Sequence, residues 1–425
     1  MNNLQWLKII ILTLSICMLI MHCSEEPTGP VKELPRFKSL ETPIEGKLLF
    51  AAGPTLEYLD TRQNYEPHDR LYKTYDKPWD FYQLSGTQFT KLNEVPWEWD
   101  RPPSQIWNIQ WSPKGNYISF YHDKGGGIWN TDDIGILDIE TFSEIYLTDS
   151  LGDANTFDTA LYHWADDESY IYFTALPLGQ SEYDTLISPD IYRAKPDGNN
   201  LEQITNNDLY EAHAVPTHEG KKIFYGVYTN PYNAGAPFNF YLYNIENNSS
   251  ELSISYDKLK QLLGNPIFRT VDTVIGLPDG IHIIYNNRLL INLDTQDLYL
   301  LAIDNIESSS SFLKYVPVHD NNFIVFEEYD EERDIYLFDN NKGSVENLTK
   351  HMTTTDGEKC FFGKPAISPS GRYLAFTAQL DTTASDNESL RNQKTDIYVM
   401  DLQTKEVRRI TDGLYGWEGF LKWIE

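Results

Sequence analysis

Aromatic rings and carboxylates are the residues of this chain whose types and placing suit molecular recognition. Trp79, Trp97, Trp99, Trp129, Tyr183, Tyr228, Tyr232, Tyr329 and Trp417 stand in or beside long polar segments, with Asp132, Asp133, Glu182, Glu328, Asp330, Glu331 and Glu332. Rings supply contact area at low entropic cost and acids supply orientation, a combination suited to sugars, peptides or basic protein patches. Trp97, Trp99, Trp129, Tyr183, Tyr329 and Trp417 are therefore the binding candidates. The competing reading is that the rings pack loops onto a scaffold and the acidic runs are solvated loop charge.

Residues arranged for catalysis are not found in the sequence. There is no Gly-x-Ser-x-Gly elbow, no His-Glu-x-x-His pair, no paired-Cys motif and no phosphate-binding loop. "DTRQNYEPHD" and "DTQD" lack the ligand spacing of a calcium loop. His163, His213, His122 and His351 are single residues at scattered positions, for which a structural role outweighs a metal one. No catalytic residue, cofactor or metal ligand is assigned.

A formal charge of −29 repels phosphate backbones, so nucleic acid is not expected as a partner. The stretch Ile9–Met21 is apolar, follows the lone charge Lys8, and is short for a membrane span. It has the form of a secretory signal. The following His22-Cys23-Ser24-Glu25-Glu26 resembles the end of a bacterial lipoprotein signal, with His22 where a small residue is usual. That resemblance implies lipidation at Cys23 and, through the acidic residues after it, export toward the surface of a Gram-negative-type envelope. An uncleaved anchor is the alternative. Cys17 lies in this segment, which leaves Cys360 alone in the exported part, so core burial rather than disulfides must hold the fold.

The elements that position these residues come from a repeat. "WSPKGNYISF" (111–120), "WADDESYIYF" (164–173), "PTHEGKKIFY" (216–225), "GLPDGIHIIY" (276–285), "PVHDNNFIVF" (317–326) and "ISPSGRYLAF" (367–376) share a polar turn and a terminal aromatic. "ETPIEGKLLF" (41–50) fits in its second half. Turn chemistry between two apolar runs predicts a hairpin in each. A third strand follows, as in Asp80-Phe81-Tyr82, Asp190-Ile191-Tyr192 and Asp396-Ile397-Tyr398. A fourth closes the unit, often at Leu/Ile-Thr: Leu147-Thr148, Ile204-Thr205, Leu348-Thr349 and Ile410-Thr411. With aromatics at 14% of the chain, an all-β fold is expected.

Four strands per unit, repeated, suggest propeller blades. The Trp-Ser-Pro-x-Gly, Asp-Ile-Tyr and Leu-Thr series resembles the TolB-type β-propeller repeat, related to the propellers of prolyl oligopeptidases and dipeptidyl peptidases. The resemblance covers about residues 40–425, and it is weakest in the fifth unit. It implies an all-β fold with a single β-propeller, with 1–22 a signal peptide, 23–40 a flexible tether and 41–425 the propeller domain. Because the resemblance runs to the last residue given, the hydrolase domain that accompanies peptidase propellers is not expected.

Calling the strands of a unit A to D, the first unit lacks an A strand and Phe420–Ile424 is an A strand without a unit. Trp423 falls at the repeat position of Trp111 and Trp164. Seven four-stranded blades are expected, closed by the C-terminal strand pairing with the N-terminal blade; six is the alternative. Antiparallel order puts B–C and D–A loops on one face of the disc, and those loops are the long ones. The functional expectation is a lipid-anchored, non-enzymatic binding module for an envelope protein, peptide or glycan, outer-membrane-bound and periplasmic or surface-exposed. The alternative is a carbohydrate-active or metal-dependent lyase or hydrolase at the channel mouth; the propeller resemblance places His163 and His213 in A strands lining the channel, and His122 and His351 on the loop face.

Overall fold

A computed structural model of the chain describes residues 36–37, 43–52, 80–93, 106–123, 132–148, 162–175, 188–228, 237–263, 274–277, 280–285, 289–301, 313–318, 322–327, 334–339, 344–353, 360, 362, 365–378, 396–412 and 421–425. Within them the repeat windows are hairpins with a common turn. In the second and seventh windows the Ser hydroxyl accepts from the backbone N–H five residues on, at 3.0 Å for both Ser112–Tyr117 and Ser368–Tyr373. The same Ser carbonyls accept from Gly115 and Gly371 at 3.1 and 2.8 Å. Gly115 has φ +79° there, a conformation open to glycine at little cost.

These hairpins build seven four-stranded antiparallel sheets among the described residues. The first combines the two ends of the chain: Lys422–Ile424, Lys47–Ala52, Asp80–Ser85 and Gln88–Lys91 in hydrogen-bonded order. The second and third are Ile106–Trp111, Tyr117–Asp123, Asp132–Asp138, Glu144–Tyr146, and His163–Trp164, Ile171–Ala175, Asp190–Ala194, Glu202–Gln203. The fourth is Tyr210–Thr217, Lys222–Tyr228, Phe238–Asn244, Ser249–Ile254, and the fifth Val274–Gly276, His282–Tyr285, Leu289–Asn292, Leu298–Leu300. The sixth is Leu313–Pro317, Asn322–Glu327, Ile335–Asp339, Ser344–Asn347, and the seventh Ala366–Ile367, Tyr373–Ala378, Asp396–Asp401, Val407–Arg409. A further two-residue strand, Arg36–Phe37, pairs with Thr411–Asp412.

The terminal aromatic of each window explains part of the repeat. Phe50, Phe173 and Phe376 lie directly across from Tyr82, Tyr192 and Tyr398 of the next strand. Each pair stacks, at 5.4, 6.0 and 6.0 Å between centroids. Such cross-strand rings are a unit of sheet stabilisation. In the second sheet Gly135 faces Phe120, and a Cβ on that glycine would meet the ring at 2.2 Å.

Both faces of each sheet are buried, and alternate residues of one strand serve different neighbours. Leu48 and Phe50 pack toward Ile397 and Val399 of the seventh sheet, whereas Leu49 and Ala51 pack toward Trp111 and Ile118 of the second. Further shared cores join second to third (Ile136, Trp164), third to fourth (Ile191, Tyr225) and fourth to fifth (Phe240, Tyr285). Others join fifth to sixth (Leu290, Phe338) and sixth to seventh (Ile335, Leu374).

The contacts between seventh and first sheets copy those between second and third. Tyr117 stacks on Trp164 at 5.7 Å, and Tyr373 stacks on Trp423 at 6.4 Å. Glu168 accepts from the Lys114 backbone N–H and from Asn116 Nδ2, at 2.5 and 2.7 Å. Glu45, at the same repeat position, accepts from the Ser370 backbone N–H and hydroxyl at 2.9 and 2.7 Å.

One segment expected as loop is helical. Tyr256–Leu263 forms a short helix whose Leu259 enters the core between fourth and fifth sheets. Ser255 caps it, its hydroxyl accepting from Lys258 N–H at 3.3 Å.

Candidate functional site

The Asp of the third strand and the Thr after the fourth form an internal staple. Thr148, Thr349 and Thr411 donate to Asp133, Asp334 and Asp396 at 2.7, 2.8 and 3.0 Å. The same hydroxyls accept from Ile134, Ile335 and Ile397 N–H. The other carboxylate oxygen takes a residue two before the Thr, as Asn347 does on Asp334 and Arg409 on Asp396. In the first sheet Asn93 replaces the Thr, accepting from Phe81 N–H at 2.8 Å, and Lys91 pairs with Asp80. Asp133, expected among the loop-face acids, is thus buried in a staple. Tyr228, expected on that face, is a buried strand residue.

The third sheet departs from this pattern, and the departure makes the candidate site. Thr205 still accepts from Ile191 N–H at 2.8 Å, but its hydroxyl donates to Glu211, on the A strand of the fourth sheet. Asn207 links two acids, its Nδ2 donating to Glu211 at 2.9 Å and its backbone N–H to Asp190 at 3.2 Å. Gln203 donates to Asp190 at 2.8 Å. Glu211 is 0% exposed and Asp190 1%.

These donors are neutral, unlike Lys91 and Arg409 in the first and seventh sheets. Burial therefore raises the Glu211 carboxyl to about 7, against the lowering effect of Asn207 and Thr205, with Asp190 adding to the rise. Burial raises Asp190 to about 6, although Asn207, Gln203 and Thr205 pull it down.

Two residues on, His213 is fully buried at φ +60°, inside a bulge between Ala212 and Val215. Its Nε2 is 3.4 Å from the Tyr228 hydroxyl. Burial, with His163 adding, holds its imidazole down to about 3. His163, on the neighbouring A strand, is held down to about 4 by burial, and its enclosed Nε2 has no hydrogen-bond partner among the described residues. A bulge on an A strand can re-aim a side chain toward a site. Here it recurs in the second sheet, between Trp107 and Gln110, so it belongs to the repeat.

Two acids raised toward neutrality by burial, and two imidazoles kept neutral by burial, are groups of the kind that move protons in catalysis. The hydrogen bonds of Thr205 and Asn207 to Glu211 tie the third sheet to the fourth. Among the described residues no group of three or more His, Cys, Asp or Glu is gathered as a metal site. Cys360 is buried. Sequence reasoning noted His163 and His213 but missed Glu211. The available signal was an acid in the otherwise apolar run "YEAHAV". The binding candidates Trp97, Trp99, Trp129, Tyr183, Tyr329 and Trp417 lie outside the described residues, as does Cys23.

No protein-family model matches the chain. No curated protein matches it. Among solved structures, a prolyl endopeptidase aligns with 89% of this chain and 50% of its own length, at 9% identity and TM-score 0.50. A puromycin hydrolase aligns with 91% of this chain and 54% of its own, at 10% identity and TM-score 0.50. TolB from Acinetobacter baumannii aligns with 89% of this chain and 66% of its own, at 12% identity and TM-score 0.39. The chain thus spans about half the length of this endopeptidase and of this hydrolase. At these identities the likeness is one of fold: a β-propeller, with TolB proteins and prolyl-peptidase propellers among its structural neighbours.

Proposed function

We propose that the protein is a non-catalytic, lipid-anchored β-propeller of a Gram-negative-type bacterial envelope, a closed ring of seven blades that binds a protein, peptide or glycan. One observation carries this reading: seven shared cores tie each sheet to its neighbours, and chain length is concentrated in the connections at one end of the sheets. The B–C connections from Ala52 to Asp80 and from Ala378 to Asp396 are long, as are D–A connections such as Tyr146 to His163. The A–B and C–D turns, such as Trp111 to Tyr117 and Ser85 to Gln88, are short. Because strands alternate in direction, the long connections fall on one face, and binding groups tend to be built on such loops over a rigid scaffold.

The acids of the repeat support the same reading, since they are taken up by staples and cross-sheet ties. Trp97, Trp99, Trp129, Tyr183, Tyr329 and Trp417 belong to the long connections and are the proposed contact residues. Cys23 carries the anchor.

The test uses the full chain and a Cys23→Ala variant, which is expected to leave the membrane fraction. Partners are captured from the native envelope with the lipid-free protein. Trp97→Ala or Trp129→Ala is expected to abolish capture, and a His163→Ala, His213→Ala double variant with an intact melting transition is expected to retain it. Capture that survives the Trp changes but is lost with the histidines would contradict the reading and favour chemistry in the channel.

A further inference from the structure

The outermost strand of a sheet leaves a row of backbone N–H and C=O groups without a partner strand, and natural sheets guard such edges with charge. Six of the seven D strands do so here. They carry Lys91, Glu144, Glu202, Glu251, Glu346, and Arg408 with Arg409. The fifth, Leu298–Leu300, reads Leu-Tyr-Leu and carries no charge. Among the described residues it ends its sheet and pairs only with Leu289–Ile291.

The register explains how this edge arises. Across from the third-strand position of Tyr82, Tyr192, Tyr336 and Tyr398 stand Lys91, Gln203, Asn347 and Arg409, the polar arms of the staples. In the fourth and fifth sheets the same position holds Leu252 and Leu300. Two neighbouring sheets have thus exchanged a polar arm for leucine at the same level of their outer edges. The result is exposed apolar surface: Leu252 is 49% exposed, Tyr299 52% and Leu300 54%.

The surroundings favour one kind of occupant. Asp297 lies in the turn leading into the strand beside Asp294, which meets His218 Nε2 at 2.9 Å, Glu251 lies on the neighbouring outer strand, and Asp257 opens the nearby helix. Lys258 of that helix is engaged, its ammonium donating to the Gln296 carbonyl. A second copy would bring another chain of charge −29 against this one.

We propose that the outer edge of the fifth sheet is a strand-addition site, where an extended segment of another protein, with apolar residues alternating with basic ones, pairs against Leu298–Leu300. Backbone hydrogen bonds supply affinity, Tyr299 and Leu300 cover its apolar side chains, and the acids meet its basic ones. This surface is separate from the loop face.

The probe is a short fluorescent peptide alternating Val with Lys, titrated into the full chain by anisotropy at low salt, with a Val–Glu peptide as comparison. The Val–Lys peptide is expected to bind saturably and the Val–Glu peptide not. Leu300→Lys, an exposed change compatible with folding, is expected to weaken binding about tenfold or more, the scale of a central contact residue. Val407→Lys, on the already charged seventh edge, and Trp97→Ala are expected to leave it unchanged. Equal binding of both peptides, or binding insensitive to Leu300→Lys, would overturn the proposal. So would a concentration-dependent dimer abolished by Leu300→Lys, which would make a second copy the occupant.

Discussion

Glu211 accepts its side-chain hydrogen bonds from neutral donors, and burial sets its proton affinity. Its folded pKa, raised to about 7, favours folding most at low pH, and that contribution is lost as pH rises through the folded value. The histidines act in the opposite sense. Folded values near 4 for His163 and 3 for His213 lie below their ordinary 6.5, so their contribution is present above 6.5 and lost as pH falls. The two slopes oppose one another through the acid range. Glu211→Gln keeps an acceptor for Asn207 Nδ2, places an amide N–H where a carboxylate oxygen accepts from the Thr205 hydroxyl, and removes the first slope. The variant is expected to gain stability relative to the parent as pH rises from about 4.5 to 7, by on the order of 3 kcal/mol at the plateau. Denaturant unfolding at stepped pH measures this; parallel profiles for the two proteins would contradict the assignment.

At the scale of the element, the repeat was legible because turn, ring and staple each leave a mark in sequence. The Ser-Pro-x-Gly turns, the aromatics facing Tyr82 and Tyr398, and the Asp…Thr pairs all recur at fixed positions, which is why strand order could be read before any contact was known. The helix at Tyr256–Leu263 was not legible. It is short, and Leu259 is its one fully buried described side chain, so periodicity could not distinguish it from a loop, although Ser255 and Asp257 offered an N-terminal signal. The role of Asp133 was misread because an acid beside a long segment looks like loop charge until its Thr148 partner is known. The staple has a measurable weight. Thr411→Val leaves the buried Asp396 carboxylate short of a donor and Ile397 N–H without that acceptor. A loss of about 1–3 kcal/mol is expected in thermal or urea unfolding. A neutral result would mean that Arg409 alone satisfies Asp396.

For the whole molecule, the joining of the two chain ends was legible from a count of A strands and from the position of Trp423. The pairing of Lys47, Leu48 and Leu49 with Ile424, Trp423 and Lys422 agrees with that count. The pairing is tight, because a Cβ on Gly46, at φ +59°, would lie 2.3 Å from the Ile424 carbonyl oxygen. The binding face was legible only as a distribution of loop lengths, since side chains on long connections obey no repeat and their candidates fall outside the described residues. The central claim is that the seven sheets form one closed ring in which the C-terminal strand is structural. The most direct measurement is the unfolding transition of a chain lacking Phe420–Glu425 beside that of the full chain. Closure predicts a single transition moved as a whole to markedly lower temperature, because the first sheet loses its A strand and Tyr373 loses its stacking partner Trp423. An unchanged melting transition would contradict closure, and with it the count of seven blades.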